Sequence, residues 1–520
     1  MFEPEGFWRD LVSFTWNIKT CEGRGEIQAM LAARLADVRP RNFQAKSAEW
    51  FSFETARGRG VGHLRLRDDH CWTLLTTLQE LKGHEEKAGP NEQPYVLIIG
   101  GGQGGIALAA RLKRLGVPAL VVERNERAGD SWRKRYKSLC LHDPVWYDHM
   151  PYIPFPNHWP VFSPKDKIAD WLEMYTRVME LDYWTSTLCK RARFSEATNE
   201  WEVLVMRNGQ PHTLRPTHLV LATGMSGFPQ VPQVPGADTF AGRIVHSSQY
   251  GAGAEWEGKQ CVVVGSGTSA HDICADLVEN GAASVTMIQR APTIVAKSET
   301  LMDLAWGPLY SEEALARGIT TELADLSVAS VPFKVLPELQ RPIYAEMRKR
   351  DAELYSGLEK AGFQYNFGED GSGIHSLYLR RGAGYYIETG ASQMIIERRI
   401  KVRNASVHSV DPRKVRLSDG SQLAADLLVF ATGYGSMSQW AEQLISKEVA
   451  DRVGKVWGLG SDTKADPGPW QGELRNMWKP TQQTNLWFHG GNLMQSRHYS
   501  LYLALQLKAR FERMRTPVYY

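Results

Sequence analysis

Cysteine is scarce in this sequence, and its spacing excludes the sites that cysteine usually builds. The 520 residues contain six cysteines, and no two of them form a C-x-x-C pair. They are Cys21, Cys71, Cys140, Cys189, Cys261 and Cys274. We therefore expect no disulfide framework, no metal site of the zinc-knuckle type and no dithiol redox centre.

Long apolar runs and an excess of one charge are also missing. No uncharged apolar run reaches about 18 residues, the length that would predict a membrane-spanning helix. The N-terminal segment MFEPEGFWRD lacks the apolar core of a signal peptide. Lys and Arg number 61 against 58 for Asp and Glu, which gives no reason to expect a nucleic-acid partner. The sequence therefore predicts a cytoplasmic protein with neither a membrane nor a nucleic-acid partner.

The apolar pattern divides the chain into a small N-terminal block and a long α/β block. The composition, 43% hydrophobic and 23% charged, is typical of a globular protein. Residues 27–38 have helical periodicity and residues 63–81 alternate as strands do, so we expect an α+β module before the linker-like HEEKAGPNEQP. From Tyr95 onward, short β-branched runs that end in glycine alternate with helical patterns. This alternation predicts parallel sheets built from βαβ units.

The first glycine-rich turn follows the apolar run Val96–Ile99. Gly100, Gly102 and Gly105 have G-x-G-x-x-G spacing, an apolar helix pattern follows, and the next strand pattern ends in Glu123, 18 residues after Gly105. Glycine permits the tight turn and the close approach of a pyrophosphate, which the helix N-terminus attracts. A carboxylate at position 123 can bond ribose hydroxyls and would repel a 2′-phosphate. The turn therefore predicts a site for FAD or NAD rather than NADP.

The second glycine-rich turn has the opposite charge at the end of its second strand. It runs Gly265-x-Gly267-x-x-Ala270, with Ser269 in the same turn, and the following strand pattern ends in Gln289-Arg290. Arginine can hold a 2′-phosphate with two hydrogen bonds, so this turn predicts an NADPH site. The alternative interpretation of Arg290 is a surface arginine on a repeat of the first unit.

Two dinucleotide sites of opposite charge preference in one chain imply hydride transfer from NADPH to FAD. The predicted fold class is α/β, with two Rossmann-like dinucleotide-binding domains and a helical insertion, after a small α+β module. The predicted domains are an N-terminal module at 1–88, an FAD domain at 89–224 continued at 431–520, and an NADPH domain at 225–430 with helices inserted at about 301–395.

Four further segments resemble motifs of the class B flavin-dependent monooxygenases. Residues 240–250, FAGRIVHSSQY, are similar to the family fingerprint F-x-G-x-x-x-H-x-x-x-aromatic. The A-T-G sequences at 222–224 and 431–433 are similar to the family's two interdomain linkers. Residues 129–144 resemble the family segment that runs along the bound flavin. The resemblance covers about Tyr95 to Gln506.

Within this family, the chain looks most like the YUCCA-type indole-3-pyruvate monooxygenases. Their L-x-L-H-x-P and I-G-A segments are similar to residues 139–144 and 389–391. Typical Baeyer–Villiger members carry Trp where this chain has Tyr250, which makes that activity the alternative. Typical N- and S-oxygenating members carry Asn near the flavin where this chain has His142.

The resemblance implies roles for further residues. His142 would donate a hydrogen bond near the flavin, His246 would gate or fix the domains, and the helix after Asn492 would face the flavin ring; simple packing is the alternative for each. The resemblance further implies that five residues contact cofactor: Trp132, Arg133, Gly224, Gly433 and Gly491.

The implied activity is insertion of one oxygen atom from O2 into a small organic substrate through a flavin C4a-(hydro)peroxide. The substrate class stays open between amines, sulfur compounds and α-keto acids or other carbonyls. Besides Baeyer–Villiger oxidation, one alternative is a redox sensor or NADPH oxidase with slow turnover. Another is a disulfide reductase, which needs a thiol pair at the flavin.

The N-terminal block resembles part of an NTF2/SnoaL-like domain. The carrying residues are WNIKTCEGRGEIQAML, similar to that fold's strand, turn and helix. The resemblance implies an accessory or interface module, and a homodimer formed through it is a further hypothesis.

Overall fold

The chain is described by a computed structural model with two separate compact units, Met1–Glu92 and Gln93–Tyr520. The structure describes residues 1–11, 13–15, 18–46, 48–82, 93–331, 333–459, 462–463, 466–467 and 474–515. Most of the predicted linker, residues 84–92, lies outside the described residues.

The first unit is one mixed sheet with one helix. Its elements are β1 (Phe2–Leu11), β2 (Ile18–Glu22), α1 (Gly23–Val38), β3 (Arg41–Ala45), β4 (Trp50–Glu54), β5 (Gly58–Arg67) and β6 (His70–Leu81). The strand order is β2-β1-β6-β5-β4-β3, with only β1 and β6 parallel. Helix α1 buries Ile27, Met30 and Val38, which are spaced along one face as the helical periodicity predicted. The likeness to an NTF2/SnoaL-like domain stays a prediction.

The second unit begins with the elements of the first glycine-rich turn. They are β7 (Val96–Ile99), α2 (Gln103–Arg114), β8 (Ala119–Val122), α3 (Asp130–Arg133), α4 (Lys165–Val178), β9 (Tyr183–Trp184), β10 (Thr187–Ser195), β11 (Glu200–Arg207), β12 (Gln210–Leu214) and β13 (His218–Leu221). All four residues of β7 are buried, because helices cover both faces of a parallel sheet.

The elements of the second turn and of the insertion follow. They are β14 (Arg243–His246), β15 (Gln260–Val264), α5 (Thr268–Glu279), β16 (Ser284–Gln289), β17 (Thr293–Lys297), α6 (Ser298–Leu301), α7 (Glu312–Ala316), α8 (Thr321–Ala329), α9 (Leu336–Arg350), α10 (Ala352–Lys360), β18 (Tyr365–Asn366), α11 (Gly373–Arg381), β19 (Tyr385–Glu388) and α12 (Ala391–Ile396).

The last part of the chain completes both sheets. Its elements are β20 (Ile400–Asn404), β21 (Val407–Asp411), β22 (Lys414–Leu417), β23 (Gln422–Ala424), β24 (Leu427–Phe430), α13 (Ser438–Leu444), α14 (Lys447–Val453), β25 (Asp462–Thr463), β26 (Asp466–Pro467), β27 (Leu486–Phe488) and α15 (Leu493–Phe511).

Two five-stranded parallel sheets place the two glycine-rich turns. The first has the order β27-β13-β7-β8-β9, so the strand before α15 joins the sheet that carries the first turn. The second has the order β14-β24-β15-β16-β20 and carries the second turn. Parallel sheets of this kind bind ligands outside the carboxyl ends of their strands, where both glycine turns lie.

Residues 368–386 are rich in glycine, yet they form regular structure. They contain helix α11 and strand β19. Ile374 and Leu379 are buried and anchor the helix, and Gly382 ends it in the left-handed conformation at φ +73°. Among the described residues, no helix is both long and apolar enough to cross a membrane.

Candidate functional site

The first glycine turn is shaped by backbone contacts that leave no room for a side chain. Gly100 has φ +107°, and a Cβ atom there would lie 2.4 Å from the carbonyl oxygen of Ala222. A Cβ atom at Gly105 would lie 2.0 Å from the carbonyl oxygen of Gly100. Both glycines are therefore required by the close packing of strand, turn and helix.

Gly102 differs because its side-chain direction is open. It is the N-cap residue of α2, and beyond its chain neighbours a Cβ atom there would come no closer than 3.8 Å to a described atom, Ser131 Oγ. The free N–H groups at the start of α2 therefore border a space that an anion can enter, which fits the pyrophosphate of a dinucleotide.

Glu123 is held beside this turn at the end of β8. Its Oε2 accepts a hydrogen bond from the Gly101 N–H at 2.8 Å, and its Oε1 accepts from the Asn125 N–H at 2.8 Å and side-chain amide at 2.6 Å. Carboxylate oxygens have further lone pairs that can accept ribose hydroxyls, so the residues present fit FAD.

Trp132 and Arg133, the two residues after Glu123 that are predicted to contact the cofactor, have different surroundings. Trp132 Nε1 donates to the side-chain oxygen of Gln103 at the start of α2, at 3.3 Å, which puts the indole at the first turn. Arg133 instead bonds Asp130, Asp170 and Glu173 at 2.7–3.0 Å. These bonds place its guanidinium in an ion-pair network between α3 and α4. Its contact with a cofactor phosphate stays a prediction that these bonds do not support.

The second turn repeats the geometry of the first. Gly265 has φ +125°, and its Cβ would lie 2.4 Å from the Ala431 carbonyl oxygen. At Gly267, a Cβ atom would lie 3.6 Å from the Tyr385 carbonyl oxygen, an ordinary contact distance. Ser269 is half-buried in the first turn of α5. Arg290 follows β16, is exposed, and makes no hydrogen bond or ion pair with another described residue. These groups fit a dinucleotide with a 2′-phosphate.

His246 lies where the two linkers meet. Gly224 and Gly433 have φ +80° and +81°, and the N–H of Gln230 donates to the Gly433 carbonyl at 3.0 Å. His246 Nε2 lies 3.0 Å from the same carbonyl, and Nδ1 accepts from the Ser248 N–H at 3.2 Å. A neutral ring protonated on Nε2 satisfies both contacts, and burial lowers the pKa of His246.

A cavity of about 180 Å³ lies between the first turn and the insertion. Among its lining residues are five tryptophans or tyrosines, two aspartates and two histidines. It is lined by Gln103, Trp132, Leu141, His142, Asp143, Tyr147, Asp148, Trp306, Ile374, His375, Tyr378, Tyr385, Ile387, Asn492 and Leu493. The structure thus brings His142, Asn492 and Trp132 to one cavity, and His246 is not among its lining residues.

Asn492 fixes the end of the cavity where α15 begins. Its side-chain oxygen accepts from the Gln495 N–H at 2.9 Å as part of a capping box, and its amide donates to the Tyr147 hydroxyl at 3.0 Å. Gly491, at φ +106°, accepts from the side chain of Gln103 at 3.3 Å. The N-termini of α2 and α15 therefore meet at the cavity.

Sequence reasoning missed the buried groups that the fold adds to this cavity. Asp143 and Asp148 follow His142 in the chain, yet no spacing distinguishes them from solvated charges. Arg497 on α15 pairs with Asp325 on α8 through two bonds of 2.8 and 2.7 Å, although the two residues are 172 positions apart. No pattern within either segment could have predicted that pair.

Comparison with known proteins gives a family match and several sequence relatives. The family model for pyridine nucleotide-disulphide oxidoreductases matches residues 97–325. The chain is 27% identical over 354 residues to the probable indole-3-pyruvate monooxygenase YUCCA10 of Arabidopsis thaliana, covering 67% of this chain and 84% of the relative. It is 29% identical over 365 residues to the indole-3-pyruvate monooxygenase YUCCA1 of Oryza sativa subsp. japonica, covering 69% and 82%.

Solved structures share the fold. A flavin-containing monooxygenase from Stenotrophomonas maltophilia has a TM-score of 0.52 at 16% identity, covering 80% of this chain and 99% of that one. A cyclohexanone monooxygenase from Rhodococcus sp. Phi1, bound to NADP+, has a TM-score of 0.55 at 17% identity, covering 81% and 84%. Their fold is the two-Rossmann architecture that both glycine turns predicted.

Fold, glycine turns and aromatic cavity together define a flavin-dependent oxidoreductase. The sequence matches refine that class: the chain is similar to indole-3-pyruvate monooxygenases, and it is a flavin-dependent monooxygenase.

Proposed function

We propose that this enzyme uses NADPH and FAD to insert one oxygen atom of O2 into a small organic substrate bound in the aromatic cavity. The observation that carries the proposal is the pair of open glycine turns, one flanked by the carboxylate of Glu123 and the other by the exposed guanidinium of Arg290. The NADP+ named for the cyclohexanone monooxygenase relative supports this assignment of the second turn.

Each cofactor would be held by groups already described. Gly102 and the start of α2 would face the FAD pyrophosphate, with Glu123 at its ribose. Gly267 and Ser269 would face the NADPH pyrophosphate, with Arg290 at the 2′-phosphate. Bound FAD would supply the redox chemistry, taking a hydride from NADPH and activating O2.

The cavity residues would orient the substrate and manage protons. The apolar side chains of the wall would limit the access of water once substrate is bound, which protects reactive intermediates from side reactions. His142 lies in this wall with its ring edge-on to Tyr385, at 6.0 Å between ring centroids, and can donate a hydrogen bond into the cavity. Association of two copies through the N-terminal module stays a proposal.

Anaerobic mixing with NADPH followed by O2 tests the proposed function. We expect NADPH to bleach the flavin, and O2 to restore it through a transient absorbance distinct from those of reduced and oxidised flavin. Flavin that NADPH fails to reduce would refute the proposal. Immediate reoxidation with all electrons recovered as H2O2 would instead support the slow NADPH oxidase.

Arg290→Ala is expected to remove the preference for NADPH over NADH. A charge-assisted pair with the 2′-phosphate is worth about 10- to 150-fold in the ratio of kcat/KM, and NADH activity should stay nearly unchanged. Steady-state kinetics with both cofactors measure this. Arg191→Ala, an exposed arginine on β10, is the control. Equal losses with both cofactors would contradict the role of Arg290.

His142→Ala is expected to uncouple the enzyme while leaving hydride transfer intact. The two dinucleotides alone set the rate of anaerobic reduction, but one preorganised donor to a developing oxyanion is worth about 2.7–4 kcal/mol. The share of NADPH electrons that appears as H2O2 should therefore rise. His158→Ala, at an exposed histidine outside the cavity, should change neither quantity. If NADPH reduced the flavin more slowly while the share of electrons appearing as H2O2 stayed the same, His142 would instead stabilise the fold or contact the nicotinamide.

A further inference from the structure

Residues 134–140 form a short segment that is attached to both of the five-stranded sheets. The segment follows α3 without regular structure of its own. The N–H of Lys165, the first residue of α4, donates to the Leu139 carbonyl at 3.0 Å. Helix α4 packs on α2, since Ile168 and Ile106 belong to one buried cluster. The segment is therefore fixed to the part of the chain that carries the first glycine turn.

Tyr136 reaches from this segment into the core of the second sheet. Its ring is buried in the hydrophobic cluster of that sheet, which includes Ile273 of α5. Its hydroxyl donates to Asp272 Oδ2 on the same helix at 2.7 Å. The next residue adds a backbone bond, because the Lys137 N–H donates to the Gly251 carbonyl at 3.0 Å. The segment thus joins the two sheets.

Asp272 lies one turn into α5, which begins at Thr268 directly after the second glycine turn. Among the described residues, only the Tyr136 hydroxyl donates a hydrogen bond to its carboxyl group. Gly267 and Ser269 at the start of the same helix are the proposed contacts of the NADPH pyrophosphate. The bond between Tyr136 and Asp272 therefore fixes the helix that would hold NADPH.

The same segment is also connected to the first glycine turn. Trp132, four residues before Tyr136, donates from Nε1 to the side-chain oxygen of Gln103 at 3.3 Å. Gln103 is the first residue of α2, at the proposed FAD pyrophosphate. The starts of α2 and α5, where the two dinucleotides would bind, are thus linked through Trp132, Tyr136 and Asp272.

We propose that Tyr136 and Asp272 are positioning residues for hydride transfer, because their bond holds α5 where bound NADPH can present its nicotinamide to the flavin. The inference rests on the proposed function and deepens it. In that step a hydride leaves the nicotinamide with both electrons of its C–H bond, so NADPH is oxidised to NADP+ and FAD is reduced. The rate of such a transfer depends steeply on geometry, and a misplacement of about 1 Å can cost about 100-fold.

The ionisation of the two side chains favours a strong bond. Burial, together with the charge of Asp272, raises the pKa of Tyr136 well above its usual value, so the hydroxyl stays a donor. Burial raises the pKa of Asp272 to about 6, and the hydrogen bond from Tyr136 opposes that rise. At neutral pH the acceptor is therefore mainly a carboxylate, which makes the bond charge-assisted.

A second tyrosine–aspartate pair on α5 provides a matched control. Asp276, one turn beyond Asp272, accepts from the Tyr250 hydroxyl at 3.0 Å and from the Gly253 N–H at 2.6 Å. Tyr250 lies between β14 and β15, two strands of the second sheet, so this pair does not join the two sheets. Tyr250→Phe should leave α5 attached to the first turn through Tyr136.

The test measures anaerobic flavin reduction by NADPH in the flavin-loaded full chain. In Tyr136→Phe and in Asp272→Ala, the limiting reduction rate should fall at least about tenfold, whereas the dissociation constant for NADP+ should change by less than about threefold. The double variant should be no slower than either single variant, because all three lack the same bond. Using both single variants keeps the test informative if one of them fails to fold.

A second measurement does not depend on turnover. The flavin is reduced by light and EDTA without O2, and NADP+ is then added to saturation. A nicotinamide stacked on reduced flavin gives a long-wavelength charge-transfer absorbance. We expect this absorbance in the parent and in Tyr250→Phe, and its loss in Tyr136→Phe and Asp272→Ala. Asp272→Asn should retain it, because the amide oxygen still accepts the Tyr136 hydroxyl.

A reduction rate and a charge-transfer absorbance like those of the parent in both Tyr136→Phe and Asp272→Ala would overturn the positioning role. Equal losses in Tyr250→Phe would also overturn it, since they would show a general effect on the fold. A change confined to the dissociation constant for NADP+ would make the pair part of the binding site instead. If NADPH failed to reduce the parent enzyme itself, the proposed function would be refuted and this inference with it.

Discussion

Gly102→Ala is expected to yield protein that lacks flavin. The substitution places a methyl group in the space bordered by the start of α2, where the pyrophosphate would approach, and should weaken FAD binding by more than about tenfold. The fold itself should tolerate the change, because Gly102 has φ −77° and its new methyl group would lie 3.8 Å from Ser131 Oγ, an ordinary contact distance. The measurement is the flavin-to-protein absorbance ratio after purification.

The control for this experiment is a glycine-to-alanine substitution in the N-terminal unit. Gly25 lies in α1 with nothing within 4 Å of its Cβ position, so Gly25→Ala should keep the flavin content. Gly105→Ala would be uninformative, since a Cβ there lies 2.0 Å from backbone and breaks the turn itself. Full flavin content in Gly102→Ala would show that FAD is not bound at this turn.

Arg497→Met is expected to cost about 3–5 kcal/mol of the free energy of unfolding, because it leaves a buried carboxylate uncompensated. Both side chains of the Arg497–Asp325 pair are 4% exposed, and the arginine also satisfies two backbone carbonyls. Urea denaturation followed by the release of flavin fluorescence measures the loss.

A double variant measures the interaction between Arg497 and Asp325 separately from the cost of removing either side chain. Arg497→Met combined with Asp325→Leu should be less destabilised than the sum of the two single variants, because no charge is left buried alone. Lys447→Met, which breaks an exposed pair with Asp451, is the surface control and should have no measurable effect. Single variants as stable as the parent would show that the pair contributes nothing.

The segments that could be predicted from the sequence are those whose structure is set by neighbours along the chain. The apolar runs at 96–99 and 119–122 form strands with those bounds, and the glycines after them form the turn. Helix α5 begins at Thr268, although Thr268 and Ser269 carry no apolar signal that would mark its start.

The sequence by itself determined the two glycine turns and, through its motifs, the resemblance to flavin-dependent monooxygenases, because strand, glycine turn and helix lie within about 30 residues of one another. Only the tertiary structure decided which residues line the cavity. Asp148 is unremarkable in the sequence, and the carbonyls on either side of it accept hydrogen bonds from Arg497, a residue of the last helix. Segment 368–386 forms α11 because the core receives Ile374 and Leu379. Burial against residues that are distant in the sequence overrides the local propensity of such segments, and the local sequence alone does not indicate it.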